Sequence, residues 1–244
     1  YLVTERADAY VIGLLHWCMS NKHDIKCEVP ITEELLYNIR TILIPSLVKH
    51  TNNLYNISIE ADVAPALGGN EIGTGCSCGI DSFDAIFKHY KTEYPNLDLT
   101  YLCINNVGAF NECYSEYGKE KVKEERYEKV DVVACELGLP IVKTESNFAD
   151  VFPQIHLYTH TFSSMFAVYM LKKMWKIYYY ASSGLDYSHF TFSDLECAHY
   201  ELLSLQCFSI SSLRIYSEGG EKERIDKTKD IDENFMLAME QGMS

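Results

Sequence analysis

Residues 73–83, Gly-Thr-Gly-Cys-Ser-Cys-Gly-Ile-Asp-Ser-Phe, bring three glycines, two cysteines, two serines and an aspartate into one short stretch. Two chemistries compete for that composition. Cys76 and Cys78 suggest metal or redox work, whereas the glycines with Ser77 and Ser82 suggest a cradle for phosphate. Glycines let backbone N–H groups turn towards an anion, and a following helix adds further N–H groups at its positive end. Asp81 suits a helix N-cap or a Mg²⁺ ligand better than a contact with bare phosphate. The thiol reading is weaker. Structural zinc knuckles space their cysteines two to four residues apart and need a second pair. One intervening residue in a strand sends the two side chains in opposite directions. Cys18 and Cys27 are too far apart in sequence to supply the second knuckle. His156 and His160 would share a helix face, but no HExxH glutamate accompanies them and Pro153 points to a loop entering a helix. A thiol nucleophile remains an alternative at Cys78, which has a helix-N-terminal setting, while Cys103, Cys135 and Cys207 read as small core residues. The Walker ending Gly-Lys-Ser/Thr is absent, and a dinucleotide pattern over Gly73 and Gly75 fails at Cys78.

The elements that must position this stretch alternate. Strands are expected at Glu71–Gly75, Leu97–Asn105, 139–144, 175–183 and 208–217, and helices at about 81–90, 119–137, 162–175, 194–206 and 221–240. That rhythm predicts βαβ units and an α/β protein with a parallel five-stranded sheet covered by helices on both faces. Residues 1–68 do not join it. They hold two helical patterns, Arg6–Ser20 and Thr32–Lys49, with Pro45 an expected kink, and a strand pattern at 55–63. The expected organisation is a mixed N-terminal appendage over 1–68 and a nucleotide-binding domain over 69–244.

Composition narrows the partners. The net charge is −14, from 21 basic and 35 acidic side chains, which opposes a broad grip on nucleic acid or an anionic membrane. The Lys- and Arg-bearing stretches 119–129 and 221–229 interleave with Glu and Asp and read as solvated helix faces. No apolar run approaches membrane-spanning length. Nine scattered cysteines in apolar settings suggest reduced thiols and hence a cytoplasmic protein.

Ser77-Cys78-Gly79-Ile80-Asp81-Ser82 resembles the Ser-Gly-Gly-x-Asp-Ser loop of the PP-loop ATP pyrophosphatases. The nearest patterns are those of the 7-cyano-7-deazaguanine synthases and the asparagine synthetase synthetase domain. Cys78 stands where the family has the first glycine of the pair, and its Cβ is expected to be tolerated only at negative φ. Leu99–Asn106 is similar to the family's second strand, and 132–148 to its helix and strand pair. Residues 177–185 are similar to its fourth strand and small-residue loop, and 223–231 to an Arg-x-x-Lys-Thr stretch carried here by Arg224, Lys227 and Thr228. The resemblance covers roughly 70–231.

It implies a Rossmann-like sheet of the HUP type that uses ATP and Mg²⁺. Ser77, Cys78, Gly79, Ile80, Asp81 and Ser82 would hold the pyrophosphate, with Asp81 reaching Mg²⁺ through ATP and Lys227 stabilising charge. Asn105, Ser182, Ser183 and Gly184 would line the nucleotide, and His160 and Arg224 would lie on the substrate side. The implied activity is an ATP-dependent ligase that adenylates a small-molecule acid or carbonyl for attack by a nitrogen nucleophile. No glutaminase signature is visible, so ammonia or an amine would come from solution, a partner protein or a missing segment. The alternatives are a catalytically degenerate nucleotide-binding protein and a sulfur-transfer enzyme.

Overall fold

The structure, a computed structural model, describes residues 3–108, 116–152, 156–182 and 185–240. The chain begins with α1 (Asp8–Asn21), which buries Asp8, Ala9, Val11, Ile12, Gly13, Leu15, Cys18 and Met19 on more than one face. A helix so covered needs partners around it. Two-residue strands β1 (Ile25–Lys26) and β2 (Ile31–Thr32) follow, then α2 (Glu33–Asn38), a π-helical turn (Ile39–Leu43) and α3 (Ile44–His50). Pro45 does not break this run. It lies in the first turn of α3, where its missing N–H matters least, and the π turn before it, with Ile44 N–H bonded to Ile39 O, opens the register ahead of the ring. The expected strand over 55–63 is two short pieces, β3 (Ile59–Glu60) and β4 (Val63–Ala64). They pair in parallel with β1 and β2 respectively, so the interruption between β1 and β2 is mirrored in their partner.

The alternating region then unfolds as β5 (Glu71–Gly75), α4 (Ile80–Lys88), β6 (Tyr101–Asn106), α5 (Glu116–Leu137), β7 (Ile141–Glu145), α6 (Phe148–Val151), α7 (His156–Met170), β8 (Trp175–Ala181), α8 (Glu201–Phe208), β9 (Arg214–Glu218) and α9 (Arg224–Glu240). Gly138 closes α5 at φ +65, a conformation cheap only for glycine. All five long strands are parallel, in the order β7-β6-β5-β8-β9. This is a Rossmann-like α/β sheet. The chain winds outward from β5 through β6 to β7, then returns to lay β8 on the other side of β5. The switch point therefore falls between β5 and β8.

Some boundaries differ from the sequence reading. α7 starts six residues earlier than expected and ends at Met170, leaving a turn before β8. The alternating stretch 208–217 is strand only from Arg214. Ser211 gives both its N–H and its hydroxyl to Glu34 Oε2, and Ser212 Oγ donates to Leu67 O, so these serines favour a turn closed by the Ile210–Leu213 bridge.

Both faces of the sheet are buried at its centre, where β8 is apolar along most of its length, whereas the edge strands β7 and β9 mix apolar residues with Lys143, Glu145, Arg214 and Glu218. Ile177 and Tyr179 face a core with Ile86 of α4 and Val130 of α5, while Tyr178 and Tyr180 face the core shared with α1, α7 and α8. That second core crosses residue 68 without a break. A buried ion pair reinforces the junction: Lys172 Nζ lies 3.3 Å from Asp8 Oδ2, with both side chains 1% exposed. Thr32 donates to the same carboxylate through its N–H and its hydroxyl, each at 2.6 Å. Among the described residues, no helix is long and apolar enough to cross a membrane.

Candidate functional site

The 76–82 loop joins the end of β5 to the start of α4, on the switch-point side of the sheet. Its base is fixed by the Cys76 N–H, which donates to Cys103 O of the neighbouring strand at 2.7 Å. Burial, followed by the neighbouring Cys78 thiol, pushes the Cys76 thiol up to about 12, so Cys76 is an unreactive core residue. Cys78 adopts φ +58, against the expectation of a negative value. The loop thus keeps the left-handed backbone a glycine would take, although a Cβ there costs about 1–2 kcal/mol. Tethers on either side enforce it. Gly79 N–H donates to Ser82 Oγ at 3.1 Å, Ser82 Oγ donates back to Gly79 O at 2.8 Å, and Ser77 Oγ lies 3.3 Å from Ser82 Oγ. The loop is shaped before any ligand arrives.

The α9 residues singled out from the sequence meet this loop across more than 140 positions. Lys227 Nζ donates to Asp81 Oδ1 at 2.9 Å, and Arg224 Nη2 to Asp81 Oδ2 at 3.0 Å. Lys227 is 1% exposed, and that carboxylate is the counter-charge beside its buried ammonium. The approach needs Gly219, at φ +83: a Cβ there would lie 2.8 Å from Lys227 Cε and Nζ. Behind this pair, Asp84 Oδ1 takes Lys222 Nζ at 3.0 Å, and Asp84 Oδ2 is buried without a hydrogen-bond partner among the described residues. Lys88 bridges Glu218 and Glu221 at 2.7 and 2.6 Å, and His89 Nε2 lies 3.1 Å from Glu218. These ties lock α4, β9 and the start of α9 into one unit.

In front of the loop lies a cleft of about 290 Å³ at the C-terminal ends of β6, β5 and β8. Ser77, Asp81, Ser82, Asn105 and Ser182 all line it. Asn105 is oriented by Thr144, whose hydroxyl donates to its Oδ1 at 2.6 Å, and Ser182 by its N–H to Glu218 O at 2.8 Å. Cys78, Gly79 and Ile80 shape the loop but are not on the cleft wall. Ser183 and Gly184 lie outside the described residues. His160 is one layer back. It is buried, with Nδ1 3.1 Å from the hydroxyl of Tyr180, and Tyr180 is the residue that reaches the wall. Burial, then His156, holds the His160 imidazole down at about 4, so it is neutral at pH 7.

Sequence reasoning missed Arg126, Ser164 and Tyr180 on the cleft wall. Arg126 was hidden in a run of alternating charges, yet it precedes buried Val130 and Ala134 by one and two helical turns, a spacing that puts it on the inward face of α5. Tyr180 was hidden in an aromatic run, where strand alternation separates it from Tyr179.

The donor set fits a nucleotide polyphosphate carrying Mg²⁺: two hydroxyls and a carboxylate on the cleft wall beside a helix N-terminus, with Lys227 and Arg224 paired to that carboxylate but not themselves among the lining residues. Mg²⁺ is held mostly by phosphates and water with one or two carboxylates, so a dedicated protein cage is not required. Among the described residues, no group of three or more His, Cys, Asp or Glu converges as a metal site. No protein-family model, curated protein or solved structure matches the chain.

Proposed function

We propose that this chain is an ATP-dependent adenylating enzyme of the PP-loop type, which activates an acid or carbonyl for attack by a nitrogen nucleophile. The observation that carries the reading is the convergence of Asp81, Lys227 and Arg224 on the loop at the switch point. Ligands of open parallel sheets gather there.

In this reading ATP is a substrate. The Ser77 and Ser82 hydroxyls and the first N–H groups of α4 receive its phosphate oxygens. Asp81 holds its two cations until phosphate arrives, when Lys227 and Arg224 turn their charge to the phosphates and Asp81 is freed for Mg²⁺. The magnesium ion would shield phosphate oxygens and help pyrophosphate leave. Lys227, in its buried setting, stabilises the charge that builds on the departing pyrophosphate. Asn105 and Ser182 flank the nucleoside, and Arg126, Ser164 and Tyr180 face the acceptor. Ammonia or an amine, from solution or a partner protein, completes the reaction. All eight described cysteines are free thiols, which supports a cytoplasmic setting.

Isotope exchange between pyrophosphate and ATP, run across a panel of carboxylic acids, tests the reading. Exchange that depends on one acid and is lost in Lys227→Met is expected. Saturable ATP binding with no exchange under any acid would favour the non-catalytic nucleotide-binding alternative.

A further inference from the structure

A second cavity of about 320 Å³ lies between the C-terminal end of α1, the loop after α3, the start of α7 and the segment around 193–200. More than half of its lining comes from residues 1–68, a stretch the nucleotide reading leaves without a task. Its walls carry the rings of Tyr55, Tyr158 and Tyr200, the imidazole of His16, and the carboxylates of Asp194 and Glu196. No Lys or Arg is among its lining residues. Burial holds His16 down at about 4, so the imidazole adds no positive charge at neutral pH. Neither ring nitrogen of His16 has a hydrogen-bond partner among the described residues, and its ring packs against Tyr158 and Phe162.

The walls are held in place without a ligand. Asp194 accepts from the Asn52 N–H at 2.7 Å and from Asn52 Nδ2 at 2.6 Å, tying the two loops across the rim. Those bonds hold the Asp194 carboxyl below its ordinary range, so it is ionised at neutral pH. His50 stacks on Phe192 with centroids 4.6 Å apart, and the Tyr55 N–H bonds to Met19 O. Among the described residues, the ionic neighbour of Glu196 is a distant one, His199 Nε2 at 3.9 Å. One lining ring already hosts an ammonium group: Lys22 Nζ sits 4.0 Å from the centroid of Tyr55.

A cavity of this size with phenol faces and two carboxylates favours a ligand with an apolar body and a positive charge. The two carboxylates attract a cation and repel an anion, and a neutral ligand gains nothing from their charge. We propose that this cavity is a binding site for a small organic cation, an alkylammonium or quaternary ammonium compound. The Tyr55 and Tyr158 rings would contact its body, and Glu196 and Asp194 would face its charge. This inference does not depend on the adenylation reading.

Calorimetric titration of the full chain tests it, with choline and n-butylammonium as cationic probes and 3,3-dimethyl-1-butanol as the neutral isostere of choline. The expected result is that at least one cation binds with a Kd of about a millimolar or tighter, about tenfold tighter than the isostere. Glu196→Gln or Tyr158→Leu, or both, should weaken that cation at least about fivefold, with circular dichroism unchanged, while Tyr158→Phe retains binding through its ring. The isostere comparison uses the unmutated chain and stands even if a variant misfolds. The proposal is overturned if the isostere binds as tightly as the cations, if neither substitution weakens binding, or if no cation gives saturable heat up to about 20 mM.

Discussion

Two aspartate–lysine pairs, Asp8–Lys172 and Asp81–Lys227, sit at different depths in relation to open space. In both pairs the lysine side chain is 1% exposed. Asp8 is equally sealed, and both of its oxygens are taken up by Thr32 and Lys172. Asp81 is 17% exposed and lines the switch-point cleft, and its second cation, Arg224, is 62% exposed. On the proposed function, the lysine's burial therefore does not tell a clamp from a working group. What separates them is whether the partner carboxylate opens on a cavity, where an incoming anion can compete for the cation.

The largest expected effect tests the sealed pair. Lys172→Met should lower the free energy of unfolding by about 3–5 kcal/mol, because it strands a buried carboxylate, and urea titration measures it. Adding Asp8→Leu to that variant should recover much of the loss. Lys227→Met should do the reverse. We expect pyrophosphate–ATP exchange to fall about 100-fold or more, with a stability loss of about 1 kcal/mol, since Asp81 keeps Arg224 and access to water. If this substitution costs as much stability as Lys172→Met and leaves exchange intact, the contrast between the pairs collapses.

Acid supplies a third, smaller effect that fixes where this comparison should be made. His16 and His160 are both held at about 4 in the folded chain, chiefly by burial, against an ordinary imidazole value of about 6.5. Between those values the unfolded chain binds more protons. Stability from these residues is therefore full above about pH 6.5 and is lost as pH falls towards 4, by about 1 kcal/mol per pH unit for each histidine at most. Urea midpoints at pH 7.5, 6 and 5 should decline, and His160→Asn should flatten the slope. The two pairs should thus be compared above pH 6.5. The smallest effect concerns the loop that Asp81 serves. Cys78→Gly should raise stability by up to about 1 kcal/mol by relieving the positive φ, partly offset by glycine's greater chain freedom. A lower urea midpoint in this variant would mean that the Cys78 side chain contributes more than its strained backbone costs.

The five parallel strands were legible through the strand-then-helix rhythm: β8 is also a buried apolar run, whereas Glu71–Gly75 holds one large apolar residue, Ile72, and was placed by that rhythm. The loop and its α9 partners were legible as separate motifs, but their meeting on Asp81 was not, since nothing local in the sequence encodes a contact across more than 140 residues. Arg126 was missed because charge alternation in α5 masks helical spacing. The φ of Cys78 was misread because side-chain identity was weighed without the serine tethers on either side. The short strands near 60 and the turn at 209–213 were misjudged because their pairing is settled by distant partners, Glu34 among them.

The shared core across residue 68 has a consequence in time. α1 ends at Asn21 and its main packing partner, α7, begins at His156. At roughly 5–20 residues per second, a ribosome would leave α1's apolar surface waiting for on the order of ten seconds before α7 exists to cover it. α1 is therefore made well before the helix that covers it. The nascent chain should thus rely on chaperones that shield α1 while the sheet is still being synthesised.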